Sequence, residues 1–226
     1  MNRSEVNRII REMEEAVRRQ GLKLPPFAFF SPEEWKTKDH SWDEARLAGL
    51  GWDITDHGLG DFRRNGLALF TLRNGSKGIP GYEKPYAEKL IYLYAGAHTA
   101  MHYHAKKMED IINRGESDIL IRLYNCGENG SLSDGAVTVR KDGRCLTVPA
   151  GEDVRVGPGE SLTLTPYLYH CFMVPEDGGP ALLGEVSMCN DDQGDNFFYG
   201  EVRRFPAIEE DEEPYRLLCT EYPPAP

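Results

Sequence analysis

Between residues 4 and 20 the apolar side chains Val6, Ile9, Ile10, Met13 and Val17 recur at the spacing of one helix face, with arginine and glutamate on the other. The pattern predicts an amphipathic helix lying on an apolar surface, with Ser4 as its N-cap and Gly21 just past its end. A Pro25-Pro26 break follows. Two capping-box signatures come next, Ser31-Pro-Glu-Glu34 and Ser41-Trp-Asp-Glu44, each expected to open a short helix; the second should end near Gly49 or Gly51. Up to residue 65 the chain reads as a helical or irregular N-terminal arm.

From Gly66 the period shortens. Residues 67–72, 86–94, 119–124, 137–140, 145–148, 161–165, 171–174 and 181–188 are short runs rich in branched and aromatic side chains. Turn signals separate them: Asn74-Gly75, Glu128-Asn129-Gly130 and Gly178-Gly179. Asp142-Gly143, between two such runs, predicts a tight hairpin. Short strands with regular turns and almost no helix imply a mainly β protein, a closed barrel or double-sheet roll. The expected organisation is one structural domain, with residues 1–65 as an arm packed on a barrel of residues 66–226. That barrel carries a C-terminal extension whose acidic run, 209–213, should be a solvated surface.

Composition narrows the function classes. At 226 residues, 40% apolar and 28% charged, the chain has the profile of a globular domain able to bury a core without disulfides. Twenty-six basic against 37 acidic side chains give a formal net charge of -11, which repels phosphate backbones and anionic lipid. No basic patch of useful size offsets it, so neither nucleic acid nor membrane is an expected partner. The charged N-terminus has no apolar h-region or cleavage site, so no secretory leader is expected. Five cysteines without a C-x-x-C pair suit a reducing compartment and a packing role for all five.

The candidate chemistry lies among the six histidines. His102 and His104 are two apart, so on a strand their imidazoles share a face and could bite one metal ion. Glu109 is within reach after a bend, and His170, beyond the 161–165 run and a turn, could enter from a neighbouring strand. His98 would be a supporting or surface group; His40 and His57 are expected to be structural or exposed. The flanking residues add to the pair. Gly96, five residues, His102-x-His104, four residues, Glu109, five residues, Gly115 resembles the first motif of the cupin family. Gly159, five residues, Thr165 and then His170 resembles the second, although Thr165 and Tyr167 stand where proline and glycine are usual and Val174 where an asparagine is.

Longer runs resemble bacterial D-lyxose isomerases of the cupin type: Gly51-Trp-Asp-Ile-Thr-Asp56, Tyr86-Ala-Glu-Lys-Leu90, Met101-His-Tyr-His104, Lys107-Met-Glu-Asp-Ile-Ile-Asn-Arg-Gly115, and Gly184-Glu-Val-Ser-Met188 with Asn190-Asp-Asp192. The likeness extends over nearly the whole chain, including the Arg-Phe-Pro segment at Arg204 to Pro206. It implies a cupin-type double-sheet jelly-roll barrel and an aldose–ketose isomerase interconverting D-lyxose and D-xylulose, and D-mannose and D-fructose. It implies a cytoplasmic homodimer and a divalent metal, typically Mn2+, with Co2+, Fe2+, Ni2+ or Zn2+ as alternatives. By position His102, His104, Glu109 and His170 are similar to the family's metal ligands, and Lys107 and Glu201 fall where its proposed proton-transfer residues lie.

Isomerisation moves a proton between C2 and C1 of the open-chain sugar, and negative charge builds on oxygen as it does so, a task suited to a Lewis-acidic cation and a flanking base. Metal and partial burial would bring the Lys107 ammonium toward neutrality, although a surface Lys106-Lys107 pair is an equal reading of the residues alone. Glu201, after Phe197-Phe-Tyr-Gly, could have its carboxyl raised by an aromatic wall or be an ordinary polar residue of the extension. Lys89 and Glu185, each on an expected strand, could line the barrel and bind substrate. The same ligand pattern also serves Fe(II) dioxygenases, and a sugar-binding module without turnover is a further alternative. Arg203 and Arg204 could hold the phosphate of a phosphosugar, but no glycine-rich cradle accompanies them.

Overall fold

The computed structural model describes residues 1–75, 83–192, 194–202 and 206–226. Helix α1 (Arg3–Arg19) turns Val6, Ile9, Ile10, Met13 and Val17 fully inward. Burying each is worth about 1.5–3 kcal/mol relative to leaving it exposed. The residue before the helix is Asn2, and Ser4 does not cap it. Instead Ser4 donates its backbone N–H and its hydroxyl to the Asp211 carboxylate, at 2.9 and 2.7 Å. The acidic run 209–213 is exposed, as expected, and it also lies at the positive end of the α1 dipole, where Glu210 pairs with buried Arg3 and Glu212 accepts from Asn7.

The first capping box forms as expected and opens α2 (Pro32–Trp35). The second does not. Asp39 accepts from both the backbone and the hydroxyl of Ser41, so Ser41 is occupied and α3 (Asp43–Leu47) starts without a side-chain cap. A last short helix, α4 (Phe62–Asn65), is capped by Asp61.

The strands are β1 (Gly51–Thr55), β2 (Leu67–Arg73), β3 (Tyr86–Leu93), β4 (His102–Tyr103), β5 (Glu109–Asn113), β6 (Ile119–Cys126) and β7 (Leu132–Ser133). They continue with β8 (Val137–Lys141), β9 (Arg144–Val148), β10 (Asp153–Val156), β11 (Ser161–Leu164), β12 (Leu168–Met173), β13 (Ala181–Met188) and β14 (Phe197–Phe198). Two antiparallel sheets result, in the orders β1-β2-β3-β13-β5-β11-β8-β9 and β10-β6-β12-β4-β14, with β7 beside β6. Ile111 of β5, Leu162 of β11 and Leu183 of β13 share one core with Ile119, Ile121 and Leu123 of β6, so the two sheets close over a common interior. On β6 the alternation is clean: Ile119, Ile121 and Leu123 point inward, while Arg122 points out and pairs with Asp153.

Each strand expected from the pattern is present, and Asp142-Gly143 makes the β8–β9 hairpin with both residues at positive φ, as a type I′ turn needs. Strand β1 lies inside the stretch read as the N-terminal arm, and all its residues are buried, so it shows no alternation. On β5 the inward positions are Glu109, Ile111 and Asn113, and two polar residues there hide the period. Strand β3 is buried along nearly its whole length because both faces are covered. Lys89 and Ile91 line an interior cleft, while Tyr94, just past the strand, bonds to Arg8 and Glu12 of α1. Among the described residues no cysteine forms a disulfide. Cys171 is buried, but Cys145 is exposed on the sheet-edge strand β9, so packing does not account for all five.

Candidate metal centre and proton-transfer site

Strand β12 begins at Leu168 rather than 171, which puts His170 inside a strand and directly opposite His102 on β4. His104 follows two residues later on the same face. The ring centroids of His102 lie 4.2 Å from His170 and 5.1 Å from His104. The turn before β12 needs a left-handed residue, and Tyr167 supplies it at φ 60. A tyrosine there costs about 1–2 kcal/mol where glycine would cost nothing. The unusual residue thus strains the turn without abolishing it, and its N–H donates to the His104 carbonyl at 2.8 Å.

Each imidazole has Nδ1 at hydrogen-bond distance from a backbone carbonyl: His102 to Ala100 at 2.9 Å, His104 to Asp195 at 2.6 Å, His170 to Leu168 at 3.0 Å. That contact places the proton on Nδ1 and leaves Nε2 as the ligand atom. The three histidines offer ligand atoms within 4.8 Å of one another, an arrangement that could hold a metal ion. Glu109 approaches from the opposite sheet, with Oε1 3.2 Å from His170 Nε2 and 3.6 Å from His104 Nε2. Both nitrogens are buried and lack a hydrogen bond. Lone pairs of nitrogen and carboxylate oxygen facing each other at such range repel unless a cation lies between them. Three nitrogens and one oxygen suit a first-row divalent ion, so the residues fit the group the sequence implies. Burial, and then its two histidine neighbours, push His102 well below the ordinary imidazole value, which keeps it in the neutral form a ligand requires.

A ladder of alternating charge runs away from this centre. Lys107 Nζ donates to Glu109 Oε2 at 2.6 Å and to Glu185 Oε1 at 3.0 Å; Lys89 Nζ donates to Glu185 Oε1 at 3.1 Å and to Asn190 Oδ1 at 2.7 Å. Lys106 is exposed and Lys107 only 4% exposed, which separates the two lysines. Burial acts to lower the Lys107 pKa, but the Glu109 and Glu185 carboxylates outweigh it and hold the ammonium above the ordinary lysine range. Burial by itself thus does not bring the ammonium toward neutrality. Burial alone would raise both carboxyls; Lys107 holds Glu109 well below the usual range, and Lys107 with Lys89 lowers Glu185.

The cleft beside the ladder is lined by Lys89, His102, His104, Lys107, Glu109 and Glu185, and the fold brings these six together. Glu201 is different: it is exposed and does not line this cleft. His57, expected to be structural or exposed, is buried, lines the cleft and meets Phe198 edge-on at 5.7 Å. Of the aromatic run, Phe198 faces the cleft and packs on His102, while Phe197 stacks on Tyr103 at 4.9 Å on the far side of the same strand pair. His98 and His40 are exposed. Arg203 and Arg204 lie outside the described residues.

Asp195 escaped the sequence reading. Its carboxylate accepts from the backbone N–H groups of Ala105, Lys106 and Lys107 at 2.8–3.0 Å, and its carbonyl from His104. In Gly194-Asp195-Asn196 it looks like any turn residue; only the fold carries it some ninety positions back along the chain, to the turn that bears His104 and Lys107. Asn190, Asp192 and Asn196 also line the cleft.

The D-lyxose isomerase family model matches residues 1–222. The chain is 47% identical over 223 residues to the D-lyxose/D-mannose isomerase of Serratia proteamaculans and 43% identical over 224 residues to that of Escherichia coli O157:H7, with 98% of each chain covered in both cases. Among solved structures, L-ribose isomerase of Cellulomonas parahominis aligns with a TM-score of 0.59 at 17% identity, covering 92% of this chain and 98% of its own. That of Geodermatophilus obscurus gives 0.55 at 17% identity with the same coverage. The chain therefore shares its mainly β, cupin-type fold with these L-ribose isomerases. The chain belongs to the D-lyxose isomerase family and is a sugar isomerase.

Proposed function

We propose that the protein interconverts D-lyxose with D-xylulose, and D-mannose with D-fructose, using a divalent cation, Mn2+ by preference, held by His102, His104, His170 and Glu109. The observation that carries this is the meeting, at one cleft, of the buried Nε2 atoms of His104 and His170, which have no hydrogen bond, with Glu109 and a Lys107–Glu185 pair. When bound, the cation supplies a Lewis acid for the C1 and C2 oxygens, where negative charge grows as the C2 proton leaves. Glu185, ionised at neutral pH and lining the cleft, takes the C2 proton and returns it to C1. Lys107, held charged by two carboxylates, is the proton donor beside the substrate oxygens as the hydroxyl proton passes from O2 to O1. In this assignment Glu185 takes the role that the resemblance lent to Glu201. Phe198 and His57 form a wall on the His102 side that limits water. The homodimer and the cytoplasmic location belong to the same proposal; light scattering at twice the chain mass tests the former.

The deciding experiment is NMR of D-lyxose incubated with the protein in D2O, with and without a chelator. Deuterium is expected at C1 of the ketose and C2 of the aldose, and only in the sample that retains metal. Turnover at the parental rate in metal-stripped protein, or oxygen uptake with ferrous iron in place of exchange, would overturn the proposal.

A further inference from the structure

We propose that Lys89 is a positioning residue that, braced by Asn190, clamps the Glu185 carboxylate so that Oε2 is left to take the substrate proton. The inference rests on Glu185 being the base. Lys89 on β3 and Glu185 on β13 are register partners, and both side chains are only 6% exposed. An ammonium has three protons, and those of Lys89 meet Glu185 Oε1 at 3.1 Å, Glu185 Oε2 at 3.4 Å and Asn190 Oδ1 at 2.7 Å. Its donors are therefore occupied by the protein, which argues against the substrate-binding role the sequence suggested for it.

The two oxygens of Glu185 are not equivalent. Oε1 accepts from both Lys107 at 3.0 Å and Lys89 at 3.1 Å, whereas Oε2 receives one long contact. Two ammonium groups on different elements thus fix the rotamer and leave lone pairs free on one oxygen. Asn190 keeps Lys89 in place and is itself tied down at several atoms. Its Nδ2 donates to Asp192 Oδ2 at 2.9 Å, its backbone N–H donates to Asn74 Oδ1 at 2.9 Å, and its carbonyl accepts from Asn74 Nδ2 at 3.2 Å. Asn74 in turn donates to the Ala48 carbonyl at 3.1 Å. The clamp is therefore anchored beyond the barrel, at the segment that follows β2.

Metal-loaded Lys89→Met should keep its metal and its circular dichroism, hold KM for D-lyxose near the parental value, and lose kcat on the order of 10²-fold, the scale of a base displaced by about 1 Å. With C2-deuterated D-lyxose its isotope effect on kcat should grow, because proton removal has become slower. Asn190→Ala leaves every charge in the barrel; it should show a smaller fall in kcat with the same growth in isotope effect. A raised KM with kcat preserved would make Lys89 a substrate ligand and overturn the clamp. So would wild-type kinetics in Asn190→Ala, or a loss of kcat that merely follows lost metal with the isotope effect unmoved. Glu185→Gln separates the two levels: parental turnover there removes the base and the clamp together, whereas an inactive Glu185→Gln beside a fully active Lys89→Met removes the clamp alone.

Discussion

Glu109 shows how one side chain serves two neighbours. Its Oε1 points to His104 and His170 and its Oε2 to Lys107, so ligand and ion-pair duties fall on different atoms. Lys107→Met should leave the ligand set intact, because the cation neutralises Glu109 in place of the ammonium. The expected result is retained metal by elemental analysis and a loss of turnover of about 10²–10⁴-fold, the range for a positioned acid or base. Lost metal would make Lys107 structural. His170→Ala should lose metal and activity together with the far-ultraviolet spectrum largely kept. Glu201→Gln, at an exposed position outside the cleft, is expected to leave kcat for D-lyxose close to parental; a large fall would return the catalytic role to it.

At the scale of an element, the turn from His104 to Lys107 is set by a residue far from it. Asp195 satisfies three backbone donors there and fixes the His104 tautomer. Asp195→Ala keeps the carbonyl that meets His104 but loosens the turn that carries the histidine, and should weaken metal binding by about 10–100-fold, as expected when the support of a ligand is lost. It should also lower the melting temperature of the metal-free protein, since the buried Lys107 N–H left unpaired costs about 1–3 kcal/mol. Calorimetric titration with Mn2+ and thermal unfolding of the chelated protein check the two effects separately; unchanged affinity would mean that the turn holds its shape without the carboxylate. Helix α1 follows the same logic. Its apolar face was legible from spacing alone, whereas its N-terminal partner, Asp211, was not, because Ser4 meets it across more than two hundred residues.

Across the whole molecule, the buried ladder from Glu109 to Lys89 links stability to pH. The folded pKa values of Glu109 and Glu185 lie below the ordinary 4.5, so the unfolded chain takes up protons first as acid is added. Their contribution is fully present above about pH 4.5 and declines as pH falls through that value toward the folded pKa. Urea midpoints of the chelated protein should therefore begin to fall as pH drops below the ordinary imidazole value of 6.5, where buried His102 resists the proton the unfolded chain accepts, and fall further below pH 4.5. A midpoint that rises on acidification would contradict the ladder.

Local sequence was enough for whatever depends on neighbours along the chain. Helix α1, the Asp142-Gly143 hairpin, the alternating strands such as β6 and the His102-x-His104 pair all follow from spacing and turn chemistry, and the motif around them pointed to Glu109 and His170. Strands β1 and β5 were hidden because burial on both faces, or polar residues aimed inward, erases the period on which strand recognition depends. The choice of Lys107 over Lys106, the arrival of Glu185 beside it, the exposure of Glu201 and the grip of Asp195 were decided by tertiary structure. Each depends on which strand of which sheet lies opposite, and on whether water or a countercharge surrounds the group, and neither is encoded within a few residues of the side chain concerned.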